Sequence, residues 1–193
     1  MKLCDPLPIS VEVEGKTYKL TPAFDNVLQM FEQTDDDDLS DTEKAELMLY
    51  YLTDNAPLDA RILMAACKAL FPEVKGEATQ KAFDFVQDAE LIYAAFWQTY
   101  GIDLFEQQGK LHWCKFFALF QGLPENTRFR EVVAIRLRPL PEPTKHNAKE
   151  RQQLLKAKHD VALKVTDAER QKNLQDGLKR MALMMMGKGK IDG

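Results

Sequence analysis

The stretch "GIDLFEQQGKLHWCKFFALFQGLPENTRF", residues 101–129, decides the fold class of this chain. Four aromatic residues in it recur at i, i+3, i+4 and i+7, the spacing of one face of an α-helix. They are Trp113, Phe116, Phe117 and Phe120. Gly122 and Pro124 follow and end the helix. We therefore predict an aromatic helix that contributes one buried stripe to a helical core.

His112 and Cys114 flank Trp113 and suggest an alternative, a nucleophilic or metal site. Residues two apart on a helix point ~200° away from each other, so these two side chains cannot share a proton or a metal locally. A Cys–His pair built through distant partners stays open as a minor alternative. We expect His112 to cap the helix or to brace the loop around Asp103.

The N-terminal part of the chain predicts a β-hairpin followed by a helix. In "ISVEVEGKTYKL" apolar and polar residues alternate between Val11 and Leu20, with a break at Gly15 and the lysine after it. The next helix is predicted to begin with Thr21 as its N-cap and Pro22 at its first helical position.

Four more helix boundaries can be read from the sequence. Ser40 and Glu43 form a capping box that begins the second helix. Pro72 ends the third helix. A longer fourth helix is predicted over residues 78–101, ending at Gly101. Its predicted buried face comprises Phe83, Val86, Ala89, Glu90, Tyr93, Trp97 and Tyr100.

The sixth helix is predicted over residues 126–138, with Asn126 or Thr127 as its cap. Its arginines alternate with apolar residues and suggest a basic stripe, which would suit nucleic-acid binding as a minor alternative. These arginines are Arg128, Arg130, Arg136 and Arg138.

Three prolines, at 139, 141 and 143, predict a stiff linker over residues 139–144. We expect a helical domain with the hairpin over residues 1–138, and a helical, partly mobile extension over residues 145–193. Thr166 and Glu169 form a further capping box. An apolar seam follows, which we expect either to bind a partner or to pack on the chain's own domain. The seam comprises Leu174, Leu178, Met181 and Met185.

Composition narrows the class of protein. The chain has 193 residues, with three irregularly spaced cysteines that predict a reducing compartment. No apolar run approaches the ~18 residues of a membrane span, and no signal segment is recognisable, so we expect a cytoplasmic protein. Residues 1–100 carry 8 basic and 19 acidic side chains, whereas residues 101–193 carry 18 and 11. The acidic and basic halves could neutralise each other within the fold, bind a charged partner, or mediate self-association.

The motifs of an enzyme are missing from the sequence. The acidic run at residues 35–38 fails as a calcium loop, because Leu39 and Ser40 occupy the fifth and sixth positions. The histidines are scattered, and no phosphate-binding or hydrolase motif is present. We therefore expect no catalytic residue, no metal and no cofactor.

Residues 96–136 resemble the bacteriophage gene-product-fifteen family, small siphophage proteins that look like tail assembly chaperones encoded near the tape measure gene. The likeness extends over roughly residues 8–150, and Cys114 departs from it, where a second tryptophan or another bulky residue would be expected. The matching residues are Tyr100, Gly101, Ile102, Asp103, Leu104, Leu111, His112, Trp113, Phe116, Leu119, Gly122, Leu123, Pro124, Thr127 and Arg136.

The resemblance implies a role in assembly rather than a reaction. Such a phage or prophage protein would bind helical segments of the tape measure protein during tail morphogenesis, self-associate in the host cytoplasm and be absent from the mature virion. Two alternatives stay open: a structural subunit retained in the tail or virion, and a nucleic-acid-binding regulator. Binding to a membrane is not expected.

Overall fold

A computed structural model describes residues 4–36, 38–71 and 82–164 of the chain. The predicted fold class is confirmed, because these residues form an N-terminal two-stranded hairpin followed by seven helices. In chain order the elements are β1 Ser10–Val13, β2 Lys16–Lys19, α1 Phe24–Thr34, α2 Asp41–Leu52, α3 Ala60–Leu70, α4 Ala89–Tyr100, α5 Trp113–Gln121, α6 Arg128–Leu137 and α7 Ala148–Asp160. In the described ranges, no helix combines the length and the apolar character needed to cross a membrane.

The hairpin forms where the alternation predicts it. Val11 pairs with Tyr18 across the two strands. The turn consists of Glu14 and Gly15, one residue earlier than the predicted break, and both have positive φ values, of 50° and 74°. Two residues of positive φ give the turn that matches the twist of a hairpin. The hairpin packs against α3, and Leu20 at its end is buried.

The start of α1 differs from the prediction. Helix α1 begins at Phe24, and its N-cap is Ala23, which makes no side-chain capping bond. Thr21 instead donates its hydroxyl to the carbonyl of Tyr51, at 2.6 Å. The carbonyl of Pro22 accepts a hydrogen bond from the backbone nitrogen of Trp113, at 2.6 Å. These contacts with distant parts of the chain hold the residues before α1 in place. Thr21 therefore does not cap α1, although its local sequence predicts that it would.

The capping box of α2 is confirmed. The backbone nitrogen of Ser40 donates to the Glu43 carboxylate at 2.8 Å, and the backbone nitrogen of Glu43 donates to the Ser40 hydroxyl at 3.3 Å. The hydrogen bonds from the Ser40 hydroxyl and backbone lower the pKa of Glu43. All of these contacts lie within four consecutive residues, which is why the sequence predicts them.

The predicted fourth helix is wrong in both extent and orientation. Helix α4 begins at Ala89, and described residues 82–88 are not helical. Asp84 holds a turn there, because its carboxylate accepts the backbone nitrogens of Val86 and Gln87 at 2.9 Å each. The residues buried on α4 are Ile92, Ala95 and Phe96. Of the predicted inward face, Glu90 and Trp97 are exposed, whereas Phe83 and Tyr100 are partly buried against the core.

Helix α5 lies at the centre of the core and turns its aromatic stripe inward. Trp113, Phe116 and Phe120 are buried, and Phe117 is half-buried. The ring of Phe116 stacks on Phe24, with ring centroids 4.9 Å apart, and on Phe96, with centroids 5.1 Å apart. Residues of α1, α4 and α5 therefore meet at one aromatic side chain.

Helix α6 begins at Arg128 and is capped by Thr127, one of its two predicted caps, whose hydroxyl accepts the backbone nitrogen of Arg130. The predicted basic stripe is wrong, because Arg136 is buried. Helix α7 packs on α6 and buries Leu154. Arg151 of α7 bonds to the carbonyl of Pro141. The domain boundaries at residues 139–144 stay a prediction, and the extension beyond residue 164 lies outside the described residues.

Candidate protein-interaction surface

Helix α4 and the loop after it present a group of aromatic side chains, here called the α4 aromatic patch, which consists of the half-buried Tyr93 and the exposed Trp97 and Phe105. Tyr93 and Trp97 lie four residues apart and share one face of the helix. The rings of Tyr93 and Phe105 are in contact, with centroids 5.2 Å apart. Trp97 is 55% exposed and Phe105 is 69% exposed. Exposed aromatic groups of this kind are enriched at protein–protein interfaces.

The loop after α4 places Phe105 beside Tyr93. Gly101 ends α4 in the left-handed conformation, with φ of 64°, which a glycine adopts without steric cost. The chain then turns back, and the Asp103 carboxylate accepts the backbone nitrogen of Phe105 at 2.9 Å. Gly101 and Asp103, which both belong to the matching residues of the resemblance, therefore position Phe105 beside Tyr93.

Carboxylates surround the patch. Partial desolvation, followed by the Asp103 carboxylate, its hydrogen bond and the charge of Glu106, raises the pKa of Tyr93. Glu90 lies one turn before Tyr93 and is exposed. Lys110 is nearby and donates to the backbone carbonyl of Glu106, at 2.9 Å. An acidic rim around apolar rings favours a partner that is apolar on one face and basic at its edges.

A buried ion pair fixes the N-terminal end of α4. The guanidinium of Arg136 binds the Asp88 carboxylate through two hydrogen bonds, of 2.6 and 2.8 Å. The side chains are 9% and 3% exposed. The Asp88 carboxylate also accepts the backbone nitrogen of Asp84, at 3.0 Å. Since the pair is bidentate and almost dry, it restricts how α4 can rotate relative to α6.

The same arginine holds the end of the described chain. Arg136 donates from Nε to the carbonyl of Val161 at 2.6 Å, and Lys158 donates to the carbonyl of Arg136 at 2.5 Å. Beyond Val161, the backbone nitrogen of Lys164 donates to the Gln87 amide oxygen at 2.7 Å, and the Gln87 amide nitrogen donates to the Lys164 carbonyl at 2.9 Å. Lys164 is therefore attached two residues before α4 begins.

His112 caps α5, which is one of the two roles predicted for it. Its Nδ1 accepts the backbone nitrogen of Cys114 at 3.0 Å, and its Nε2 lies 2.9 Å from the carbonyl of Pro8. The neutral tautomer with the proton on Nε2 satisfies both contacts. The contact with Pro8 also connects the cap to the N-terminal segment, and the other role, bracing the loop around Asp103, stays a prediction.

Cys114 and His112 do not form a catalytic pair of side chains. The Cys114 thiol lies 3.7 Å from the carbonyl of Leu70. Desolvation by burial raises the pKa of this thiol. A raised pKa keeps the sulfur protonated near neutral pH, which is the opposite of what an activated nucleophile requires.

Five other residues of the resemblance meet where the C-terminal ends of α4 and α5 approach the start of α6. The Tyr100 hydroxyl donates to the carbonyl of Leu119, at 2.9 Å. A side chain at Gly122 would lie 3.2 Å from that hydroxyl, so the glycine leaves room for the tyrosine. The carbonyl of Pro124 accepts the Thr127 hydroxyl at 2.9 Å, which connects this corner to α6. These residues form structural contacts rather than a reactive group.

Two features of the surface are missed by sequence reasoning. Asp88 and Gln87 carry no local signal, because their partners lie 48 and 77 residues away along the chain. The predicted partner-binding residues Leu174, Leu178, Met181 and Met185 lie outside the described residues, so their role stays a prediction.

The architecture defines a mostly α-helical protein with an N-terminal hairpin, an aromatic core and an aromatic patch on its surface. The family model of the Bacteriophage Gp15 protein matches residues 3–163, and the chain belongs to this family. The resemblance drawn from residues 96–136 is thereby confirmed. No curated protein and no solved structure matches the chain.

Proposed function

We propose that this phage protein is a tail assembly chaperone that binds amphipathic helical segments of the tape measure protein and catalyses no reaction. Membership of the Bacteriophage Gp15 family supports the phage context. The observation that carries the binding role is the α4 aromatic patch, where Trp97 and Phe105 are more than half exposed. Host cytoplasm during assembly, self-association and absence from the mature virion belong to the same proposal.

The patch has the chemistry that helix binding requires. A long helical protein exposes apolar side chains at i, i+3, i+4 and i+7 until its own assembly partners cover them. Aromatic side chains are the residues that most often dominate the free energy of such contacts. The carboxylates of Glu90, Asp103 and Glu106 would favour helical segments with lysine or arginine beside the apolar stripe.

Co-expression with the tape measure protein tests the proposal. The unchanged chain should keep the tape measure protein soluble and co-purify with it. The double variant Trp97→Ser and Phe105→Ser should lose most of the complex, because it removes the apolar contact without opening the core. Met64→Ser is the matched control, since Met64 is 71% exposed on α3. An insoluble tape measure protein with no complex in pull-downs would refute the proposal.

Mass spectrometry of purified particles separates the chaperone role from that of a structural subunit. A chaperone leaves when the tail is complete, so its peptides should be missing from the particles while they are present in the lysate. Many copies in the particles would establish the structural alternative and contradict the chaperone role.

A further inference from the structure

We infer that copies of this chain associate head to tail, with the exposed face of α7 in one copy seated in a groove between α1 and α2 of the next copy. This contact rests on the self-association that belongs to the proposed function and gives it two defined surfaces. Both surfaces lie in residues that the structure describes.

The first surface is a groove of about 570 Å³ between α1, α2 and the loop after α2, here called the α1–α2 groove. Tyr50 of α2 and Leu58 of the loop line it, and these side chains are 75% and 54% exposed. Amide and carboxylate groups border this apolar surface, on Asn26, Gln29, Glu46 and Asp54. The groove therefore combines exposed apolar side chains with negative charge at its edge.

The negative charge of the groove is only partly compensated within the molecule. Asp54 lies 3.5 Å from Lys19, in an ion pair that is open to solvent. Among the described residues, Glu46 has no cation in contact with it. Glu46 and Tyr50 are four residues apart and share one exposed face of α2. A basic side chain from another molecule would bind Glu46 and lie against the ring of Tyr50.

The second surface is the exposed face of α7, on the side of the helix away from the buried Leu154. Leu155 is 50% exposed on this side. Lys149 and Lys156 are seven residues apart, which places them on the same exposed side two turns from each other. Within the part of the chain that the structure describes, neither lysine forms an ion pair. The face therefore joins an exposed leucine to uncompensated positive charge.

The other side of α7 is fixed, which leaves its exposed face to a second molecule. Helix α7 packs on α6, whereas the groove lies between α1 and α2. Lys158 donates to the carbonyl of Arg136 at 2.5 Å, and Arg151 bonds to the carbonyl of Pro141. These bonds hold α7 in one orientation on its own domain. The contact between the two surfaces is therefore made between copies.

The two surfaces are complementary. Leu155 would cover Tyr50 and Leu58, while Lys156 would meet Glu46 at the edge of the contact. Opposite charges around an apolar contact favour one orientation of the partners over others. Because the groove and α7 are different surfaces, each copy uses one of them for each neighbour, which produces a head-to-tail chain of copies. The α4 aromatic patch takes no part in this contact.

Analytical ultracentrifugation of the full chain tests the contact. The unchanged protein should shift from one chain to two and more as its concentration rises, and added salt should weaken the association. The groove variant Glu46→Lys with Tyr50→Ser should stay at one chain at the same concentrations, and so should the α7 variant Leu155→Ser with Lys156→Glu. All four side chains are exposed, so circular dichroism and thermal unfolding should show an unchanged fold.

Mixing the two variants separates this contact from a general effect of charge. The groove variant keeps an intact α7, and the α7 variant keeps an intact groove. An equimolar mixture should therefore form a complex that stops at two chains. Glu125→Lys and Lys115→Glu are the matched controls, because they make the same charge changes at exposed positions outside both surfaces. Each control should associate like the unchanged protein.

An unchanged protein that stays at one chain up to millimolar concentration would overturn the inference. Association that survives in either variant would also overturn it, as would two variants that fail to pair when mixed. Head-to-tail association without binding of the tape measure protein would leave the inference standing and refute the proposed function. Binding of the tape measure protein by a chain that remains single would overturn the inference and keep the chaperone role.

Discussion

Helices α4 and α5 pack against each other and are both apolar over most of their circumference, but they use their aromatic side chains differently. In α5 the best-spaced stripe, Trp113 to Phe120, faces the core. In α4 the stripe of Tyr93, Trp97 and Tyr100 is only partly used by the core: Trp97 is exposed, and its neighbour Phe96 is buried instead. A helix that is apolar on two sides can bury either side, and its own hydrophobic periodicity does not determine which side is buried.

The N-termini of the two helices differ in the contacts that hold them. At α5, His112 caps the helix with its own ring, a contact made within two residues. At α4, the residue in the cap position is Asp88, which makes no capping bond and binds Arg136 instead. The ion pair therefore holds the N-terminal end of α4 through a residue 48 positions away, a contact that no local pattern predicts.

The largest effect is expected from Phe116→Ala in α5. Phe116 is completely buried and stacks on Phe24 and Phe96, so its truncation leaves a cavity between three helices. We expect the free energy of unfolding to fall by about 3–5 kcal/mol, measured by urea denaturation. A loss as small as that of an exposed residue would mean that α5 is not the centre of the core.

We expect Arg136→Met to lower the free energy of unfolding by about 3 kcal/mol, at the lower end of the range for broken buried ion pairs. The variant leaves the Asp88 carboxylate buried without its cation. The control on the same helix is Arg128→Met, because Arg128 pairs with Glu131 at the exposed surface and should change stability by less than about 1 kcal/mol.

The double variant Arg136→Met with Asp88→Leu should recover part of the stability lost in Arg136→Met, since no buried charge remains. Trp97 fluorescence of this double variant then tests the orientation of α4. If the ion pair sets that orientation, the emission of Trp97 should shift, while an unchanged spectrum would show that core packing alone positions the helix.

His112→Ala should lower the free energy of unfolding by about 1–2 kcal/mol, the usual cost of removing an N-cap. His112→Asn is the informative comparison, because asparagine caps helices well but cannot reach Pro8 in the same way. Recovery in His112→Asn would attribute the loss to the cap of α5, whereas no recovery would attribute it to the contact with Pro8. Both are read by thermal or urea unfolding.

The smallest effect is expected from Trp97→Ala. Because Trp97 is more than half exposed, its truncation should change the free energy of unfolding by no more than about 0.5 kcal/mol. Phe96→Ala, one residue earlier, should cost about 3–5 kcal/mol. Similar losses for these neighbours, in the same urea titration, would contradict the orientation of α4 and with it the α4 aromatic patch.

Sequence reasoning succeeds where the determining contacts are local. The hairpin, the capping box at Ser40, the inward stripe of α5 and the cap at Thr127 all depend on residues a few positions apart. It fails at Thr21, whose hydroxyl bonds to Tyr51 rather than to the start of α1. It also fails at Arg136, which alternation places in an exposed stripe and which Asp88 holds inside.

For the same reason the sequence predicts only part of the candidate surface. The spacing of Tyr93 and Trp97 predicts that they share one face of a helix, but it also predicts that this face is buried, whereas Trp97 is exposed. Phe105 carries no signal that it would join them, because the contact depends on the turn at Gly101 and Asp103. The exposure of the group follows from the packing of the other side of α4.

The amino-acid sequence is enough to predict the mostly helical class, the hairpin, most helix ends and the family resemblance, because these depend on spacing, capping and motif identity within short windows. Long-range packing selects the side of α4 that is buried, buries Arg136, and brings Lys164 at the end of the described chain to Gln87. The physical reason is that a charge or an apolar ring is buried only where a distant partner compensates its desolvation or fills the space beside it.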